Sequence, residues 1–179
     1  MLKSRIQAWV DSAHGLAKAD QWLVPVLQGL GRLDRDLFSE TPTITANLNA
    51  QRTAPHTVSD HQNDQFDRYI YQSFLWVLAA YELVRTLDEI CRADHKIYGH
   101  SLTQDINQFK HQIEHLRIPL AKPHAVRRHP DDYHIAYPRW VPGKGVAWQL
   151  DPSIIITRAD LSEGLLSLVE KLRASIPPT

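Results

Sequence analysis

A single long apolar stripe constrains the fold of this chain more than any other feature. Between Gln65 and His95 large apolar side chains recur every three or four residues, the spacing of one face of an α-helix. A helix of that length extends about 45 Å. The side chains that make its opposite face apolar in the first half are Tyr71, Phe74, Leu75 and Leu78. Because both faces need cover there, we expect this helix to be the centre of a bundle.

The segments before the long helix differ in composition. Residues 1–40 carry apolar residues at helical spacing and predict an N-terminal helical pair. Residues 41–64 are rich in Thr, Asn and Gln and contain two prolines, which predicts a polar linker. Within this linker, Thr43–Leu48 alternates and predicts a short strand.

The segments after the long helix predict one more helix, a small sheet and a last helix. A helix that begins near Ser101, after Gly99, and ends near Leu116 completes a central helical hairpin over residues 65–121, with Pro119 as its stop signal. The rest, residues 122–179, comprises a basic loop, a β-meander and a closing helix. The predicted strands are 134–137, 146–150 and 154–157, and Asp160 with Glu163 forms the predicted cap of the closing helix.

These elements predict a mainly α fold. We expect a bundle of four to five helices around a long central helix, with a small C-terminal antiparallel β-meander and a closing helix. The 179 residues, 43% of them hydrophobic, fit a single domain spanning 1–179 that buries about 70% of its unfolded surface.

Composition excludes several classes of function. Twenty basic residues balance twenty acidic ones, so the chain lacks the broad field that non-specific nucleic-acid and membrane-surface binders use. One cysteine, Cys91, excludes disulfides and multi-cysteine metal sites, and its place on the apolar stripe predicts a buried, unreactive thiol. The longest apolar run, Phe74 to Tyr81, is far shorter than the about 20 residues that cross a bilayer. We expect a cytoplasmic protein with no membrane association and no cofactor.

Two histidines on the helix after Ser101 match a metal motif. His111-Gln112-Ile113-Glu114-His115 has the H-x-x-E-H pattern of one class of zinc peptidase. Both histidines fall opposite the apolar stripe of that helix, so the pattern also describes a solvated helix face. We assign no metal ligand and keep a metal-dependent hydrolase using His111 and His115 as a third hypothesis.

The stretch from Lys122 to Lys144 is locally basic and aromatic. Cations among aromatic rings can hold a phosphate backbone while bases stack, which makes RNA a candidate partner. The candidate nucleic-acid-binding residues are Lys122, Arg127, Arg128, Arg139 and Lys144. Alternatively, Tyr137 and Trp148 fill the space between the meander and the bundle, with the arginine stems lying over them.

Arg117 and His124 are separated by six residues at the end of a helix. This spacing, within a helical core that covers mainly Phe66 to His124, resembles the R-x4–6-H motif of HEPN (higher eukaryotes and prokaryotes nucleotide-binding) domains. In that family, bundles dimerise and the motif from each subunit forms a metal-independent ribonuclease site. The resemblance implies that Arg117 holds the scissile phosphate, that His124 acts as acid or base, and that the chain forms a homodimer. In a purely structural alternative, Arg117 flanks the core and caps carbonyls at the helix end, and His124 is a loop histidine.

The leading interpretation is a non-catalytic helical-bundle protein that acts by binding a protein partner or RNA. The alternative is a HEPN-like ribonuclease of a toxin or phage-defence system, which would make the chain an endoribonuclease. No nucleophile elbow, phosphate-binding loop or dinucleotide-binding motif supports another enzyme class.

Overall fold

The computed structural model describes residues 2–17, 19–53, 59–93, 95–122 and 126–176. The mainly α fold with a small meander is confirmed. In chain order the elements are α1 (Leu2–Leu16), α2 (Leu23–Thr53), α3 (Asp60–Ala93), α4 (His95–Ala121), β1 (Tyr137–Val141), β2 (Gly145–Gln149), β3 (Ile155–Thr157) and α5 (Arg158–Ser175). Within the described ranges, no helix is both long and apolar enough to cross a membrane.

Helix α3 is the central helix that the apolar stripe predicts. It packs along α2 on one side and α4 on the other, and α5 also touches it. Its fully buried side chains include Tyr69, Trp76, Val77, Val84 and Leu87. The helix begins earlier than predicted because Ser59 and Gln62 form a capping box: the Ser59 amide donates to the Gln62 side chain, and the Gln62 amide donates to the Ser59 hydroxyl.

The predicted linker at 41–64 and its short strand are wrong, because α2 continues through Pro42 to Thr53. The hydroxyl of Thr41 donates to the Leu37 carbonyl, and that of Thr45 donates to the Thr41 carbonyl, which satisfies carbonyls of this turn. Ile44 is fully buried in the core. Burial therefore outweighs the low helix propensity of this polar stretch. Residues 54–58 lie outside the described part of the chain.

The predicted bounds of α4 are also wrong. The helix includes Gly99 rather than beginning after it, and it continues past Pro119 to Ala121. Pro119 is buried, and its carbonyl accepts a hydrogen bond from the Ala136 amide. Contact with the segment before the sheet thus supplies a donor to one of the last carbonyls of α4, which have no amide partner within the helix.

The meander forms an antiparallel sheet in the order β1-β2-β3, with Arg139 opposite Ala147 and Trp148 opposite Ile156. The first strand begins at Tyr137, so its predicted range of 134–137 is three residues too early. The cap of α5 also differs from the prediction: Thr157 is the N-cap and accepts from the Asp160 amide, while the Asp160 carboxylate pairs with Lys144.

A buried ion cluster joins α1, α2 and α5. Asp34 is completely buried and accepts four hydrogen bonds, from Arg5 Nε (2.6 Å), Trp9 Nε1 (3.1 Å), Ser162 Oγ (2.6 Å) and Arg158 Nη1 (2.5 Å). Burial alone would raise the pKa of Asp34, but the hydrogen bond from Arg5 and the charge of Arg158 outweigh it and hold that pKa below its usual value. The cluster fixes how the terminal helices dock on α2.

Candidate functional site

Arg117 lies within α4 and faces an aromatic ring. Its guanidinium carbon lies 4.4 Å from the centre of the Tyr81 ring, and its Nε is buried without a hydrogen-bond partner in the described part of the chain. His124 lies outside the described residues. The convergence of Arg117 and His124 therefore stays a prediction.

The five candidate nucleic-acid-binding cations fall into two groups. Lys122, Arg127 and Arg128 are exposed at the end of α4 and in the loop that follows. The other two are engaged elsewhere: Arg139 Nε donates to Gln149 Oε1 at 2.8 Å, and Lys144 Nζ lies 2.7 Å from Asp160 Oδ1. Among the described residues, none of the first three cations forms an ion pair, although Arg128 Nη1 lies 3.3 Å from His111 Nε2.

The aromatic residues of the basic stretch mostly pack inward. Trp148 is buried, which confirms its predicted role between the meander and the bundle. Trp140 contacts the rings of Phe66 and Tyr69 on α3. Tyr137 is half exposed, so the same role predicted for it is wrong, because at the start of β1 its ring lies edge-on to Tyr133 instead.

His111 and His115 do not act as a pair. Nδ1 of His111 lies 3.5 Å from Glu114 Oε2, and its Nε2 lies 3.3 Å from Arg128 Nη1. His115 instead donates a hydrogen bond from Nε2 to Asp132 Oδ2. Its ring also stacks on His129, with 3.9 Å between the ring centres. Although the two histidines lie one helical turn apart on α4, their side chains therefore contact different partners.

His115, His129 and Asp132 form a compact group, which we call the imidazole cluster. One donor atom from each residue lies within 4.8 Å of the others. The sequence pattern did not identify His129 or Asp132, because neither has a motif spacing to His115. The available signal was the concentration of histidines between His111 and His134.

The structure confirms the predicted burial of the Cys91 thiol. It is completely buried on α3, and burial, followed by the nearby charge of Asp88, raises its pKa to about 11. A thiol with that pKa is protonated at neutral pH and is a poor nucleophile.

An apolar cleft of about 300 Å³ opens between α3, the end of α4 and the sheet. Its lining residues are Ile70, Tyr71, Phe74, Leu120, Ala136, Pro138 and Trp148. Two large side chains of the same α3 face are exposed: Tyr71, which lines the cleft, at 70%, and Leu75, one turn later, at 51%. We call this surface the apolar face.

The apolar face coincides with the part of α3 for which the sequence predicts cover on two sides. Within the described chain, one side has that cover and the side bearing Tyr71 and Leu75 does not. Exposed contiguous apolar surface of this kind marks sites of protein interaction.

We compared the chain with protein-family models, with curated proteins and with solved structures, and found no significant match in any of the three.

Proposed function

We propose that the protein acts by binding, and that a second copy of the same chain occupies the apolar face. The observation that carries the proposal is the uncovered face of α3, where Tyr71 and Leu75 are exposed to solvent at an apolar cleft. Burying these side chains and the cleft removes apolar surface from water, which is the main driving force of association.

Charge favours a protein over a nucleic acid as the occupant. Among the described residues that line the cleft, none carries a charge. A nucleic acid would need cations there to replace its counterions. An apolar protein surface has no such requirement.

The shape of the face favours a second copy. In a two-fold dimer the same patch is used by both chains, so it must offer both a projection and a hollow. Tyr71 projects from α3 at the rim of the cleft, and the cleft lies on the same face. The formal net charge of zero also means that two copies have no net repulsion to overcome.

Sedimentation velocity of the untagged protein and two variants tests this proposal. Tyr71→Asp places a charge in the contact and should weaken self-association at least about 30-fold, the effect of losing a hot-spot residue worth about 2 kcal/mol. Trp22→Asp is the matched control, since Trp22 is equally exposed, at 72%, and does not line the cleft. Its self-association should equal that of the wild type. A wild type that sediments as a monomer at about 100 μM, or a Tyr71→Asp variant that associates like it, overturns the proposal.

RNA is a second candidate partner, favoured by the exposure of Lys122, Arg127 and Arg128 around one end of α4. Fluorescence anisotropy with a single-stranded RNA tests it. Replacing both arginines by alanine should weaken binding and flatten its salt dependence. Equal affinity of the variant argues against this surface. In EDTA, an RNA pool that stays intact excludes the metal-independent ribonuclease implied by Arg117 and His124.

A further inference from the structure

We propose that the imidazole cluster is a binding site for one zinc ion, with His115, His129 and Asp132 as its ligands. This site is independent of the apolar face, because none of the three residues lines the cleft. It also differs from the H-x-x-E-H motif, since only one member of that motif takes part.

The donor atoms already converge. They come from two elements, α4 and the loop after it, and all lie within 4.8 Å of one another. Tetrahedral zinc with bonds of about 2.0–2.1 Å holds its ligand atoms about 3.4 Å apart. His115 and Asp132 are in hydrogen-bond contact, so a bound zinc would take the place of the hydrogen between them. To bring its donor atom to the ligand distance, His129 would have to move most, and its exposed ring has room to turn away from its stacked position.

The donor set selects the metal. Two imidazoles and one carboxylate suit zinc and its neighbours among the divalent transition metals, whereas magnesium and calcium take oxygen ligands. Three protein ligands leave a fourth position of tetrahedral zinc for water or another ligand. His129 is exposed while His115 and Asp132 are largely buried, so solvent reaches the cluster from the His129 side.

The loop that supplies two ligands is held in place without a metal. The His129 amide donates to the Val126 carbonyl at 2.8 Å, and the Asp132 amide donates to the His129 carbonyl at 3.2 Å. The next amide, that of Tyr133, donates to the Leu150 carbonyl at 2.6 Å. The site is therefore largely preorganised, and bound zinc would tie the loop to α4.

Isothermal titration of metal-free, untagged protein with zinc chloride tests the proposal. We expect one zinc per chain, and His129→Ala and Asp132→Asn should each weaken binding at least about tenfold. The matched controls are His111→Ala and His134→Ala, which remove an adjacent histidine on α4 and an exposed histidine of the same segment. Both controls should bind as the wild type does.

Cobalt provides a second readout that does not depend on the heat of binding. Cobalt(II) in the wild type should give the intense visible absorption of a four-coordinate site, and the His129→Ala variant should lose it. Circular dichroism checks that each variant remains helical, and the exposed position of His129 keeps that variant foldable. The proposal is overturned if the wild type binds no zinc at micromolar concentrations, if His129→Ala binds zinc equally well, or if His111→Ala abolishes binding.

Discussion

Replacing Asp34 by alanine should destabilise the protein more than any surface substitution. The carboxylate is completely buried and compensates the guanidinium of Arg158, which is only 1% exposed. Arg5 retains Glu163 as a partner at 2.5 Å, but Arg158 makes no other ion pair among the described residues. Asp34→Ala therefore leaves one buried charge without compensation.

The expected loss in the free energy of unfolding is about 3–5 kcal/mol, the usual cost of removing one partner from a buried ion pair. The indole of Trp9 and the hydroxyl of Ser162 lose their acceptor as well. Each buried donor left unsatisfied costs about 1–3 kcal/mol when it finds no substitute, so the total loss should reach or exceed the upper end of the range of about 3–5 kcal/mol. Against a typical domain stability of about 5–15 kcal/mol, this loss is large.

Urea unfolding followed by circular dichroism measures the loss, and Asp105→Ala is the matched control. Asp105 on α4 pairs with Lys171 on α5 at 2.8 Å, but both side chains are exposed, so its removal should cost less than about 1 kcal/mol. If Asp34→Ala costs no more than Asp105→Ala, the cluster does not hold the terminal helices in place and the reasoning is refuted.

The remaining predictions concern stability at low pH, two glycine substitutions and the reactivity of the cysteine thiol. The pKa of Asp34 in the folded protein is lowered from its ordinary value of 3.8, so its contribution to stability is present above that value and is lost as the pH falls through the folded pKa. Urea unfolding midpoints measured at decreasing pH should show this loss. The Asp34→Ala variant should show less of it. Gly145→Ala should destabilise by about 1–3 kcal/mol in the same urea assay, since Gly145 has φ +81° and a Cβ there would lie 2.4 Å from the Tyr69 hydroxyl. Gly29→Ala should instead stabilise by about 0.5–1 kcal/mol, because Gly29 lies within α2 and the new Cβ would have no atom within 4 Å apart from its chain neighbours and the adjacent helix backbone. Cys91 should react with a thiol reagent only after denaturation, and rapid labelling of the folded protein at neutral pH would contradict its burial.

The sequence predicts the fold where periodicity and burial agree. The stripe from Gln65 to His95 identifies α3 because its apolar spacing is that of a helix over its whole length. Residues 41–53 fail this test, since their polar composition and Pro42 resemble a linker. Only tertiary contacts, such as the burial of Ile44, make them helical, and a local pattern does not contain those contacts.

The two candidate sites differ in how far the sequence indicates them. The apolar face follows from the excess of apolar residues around Tyr71, although the sequence leaves open whether the chain itself covers them. The imidazole cluster joins His115 on a helix to a turn carrying His129 and Asp132. That contact depends on how α4 ends beyond Pro119, and the predicted end of the helix was wrong.

Sedimentation equilibrium of the untagged wild type, at concentrations from about 1 to 100 μM, tests the central claim most directly. The chain mass is 20.5 kDa. If a second copy covers the apolar face, the fitted mass rises with concentration to twice that value and stops there, as expected for a closed two-fold dimer. A mass that stays at 20.5 kDa over the whole range contradicts the account.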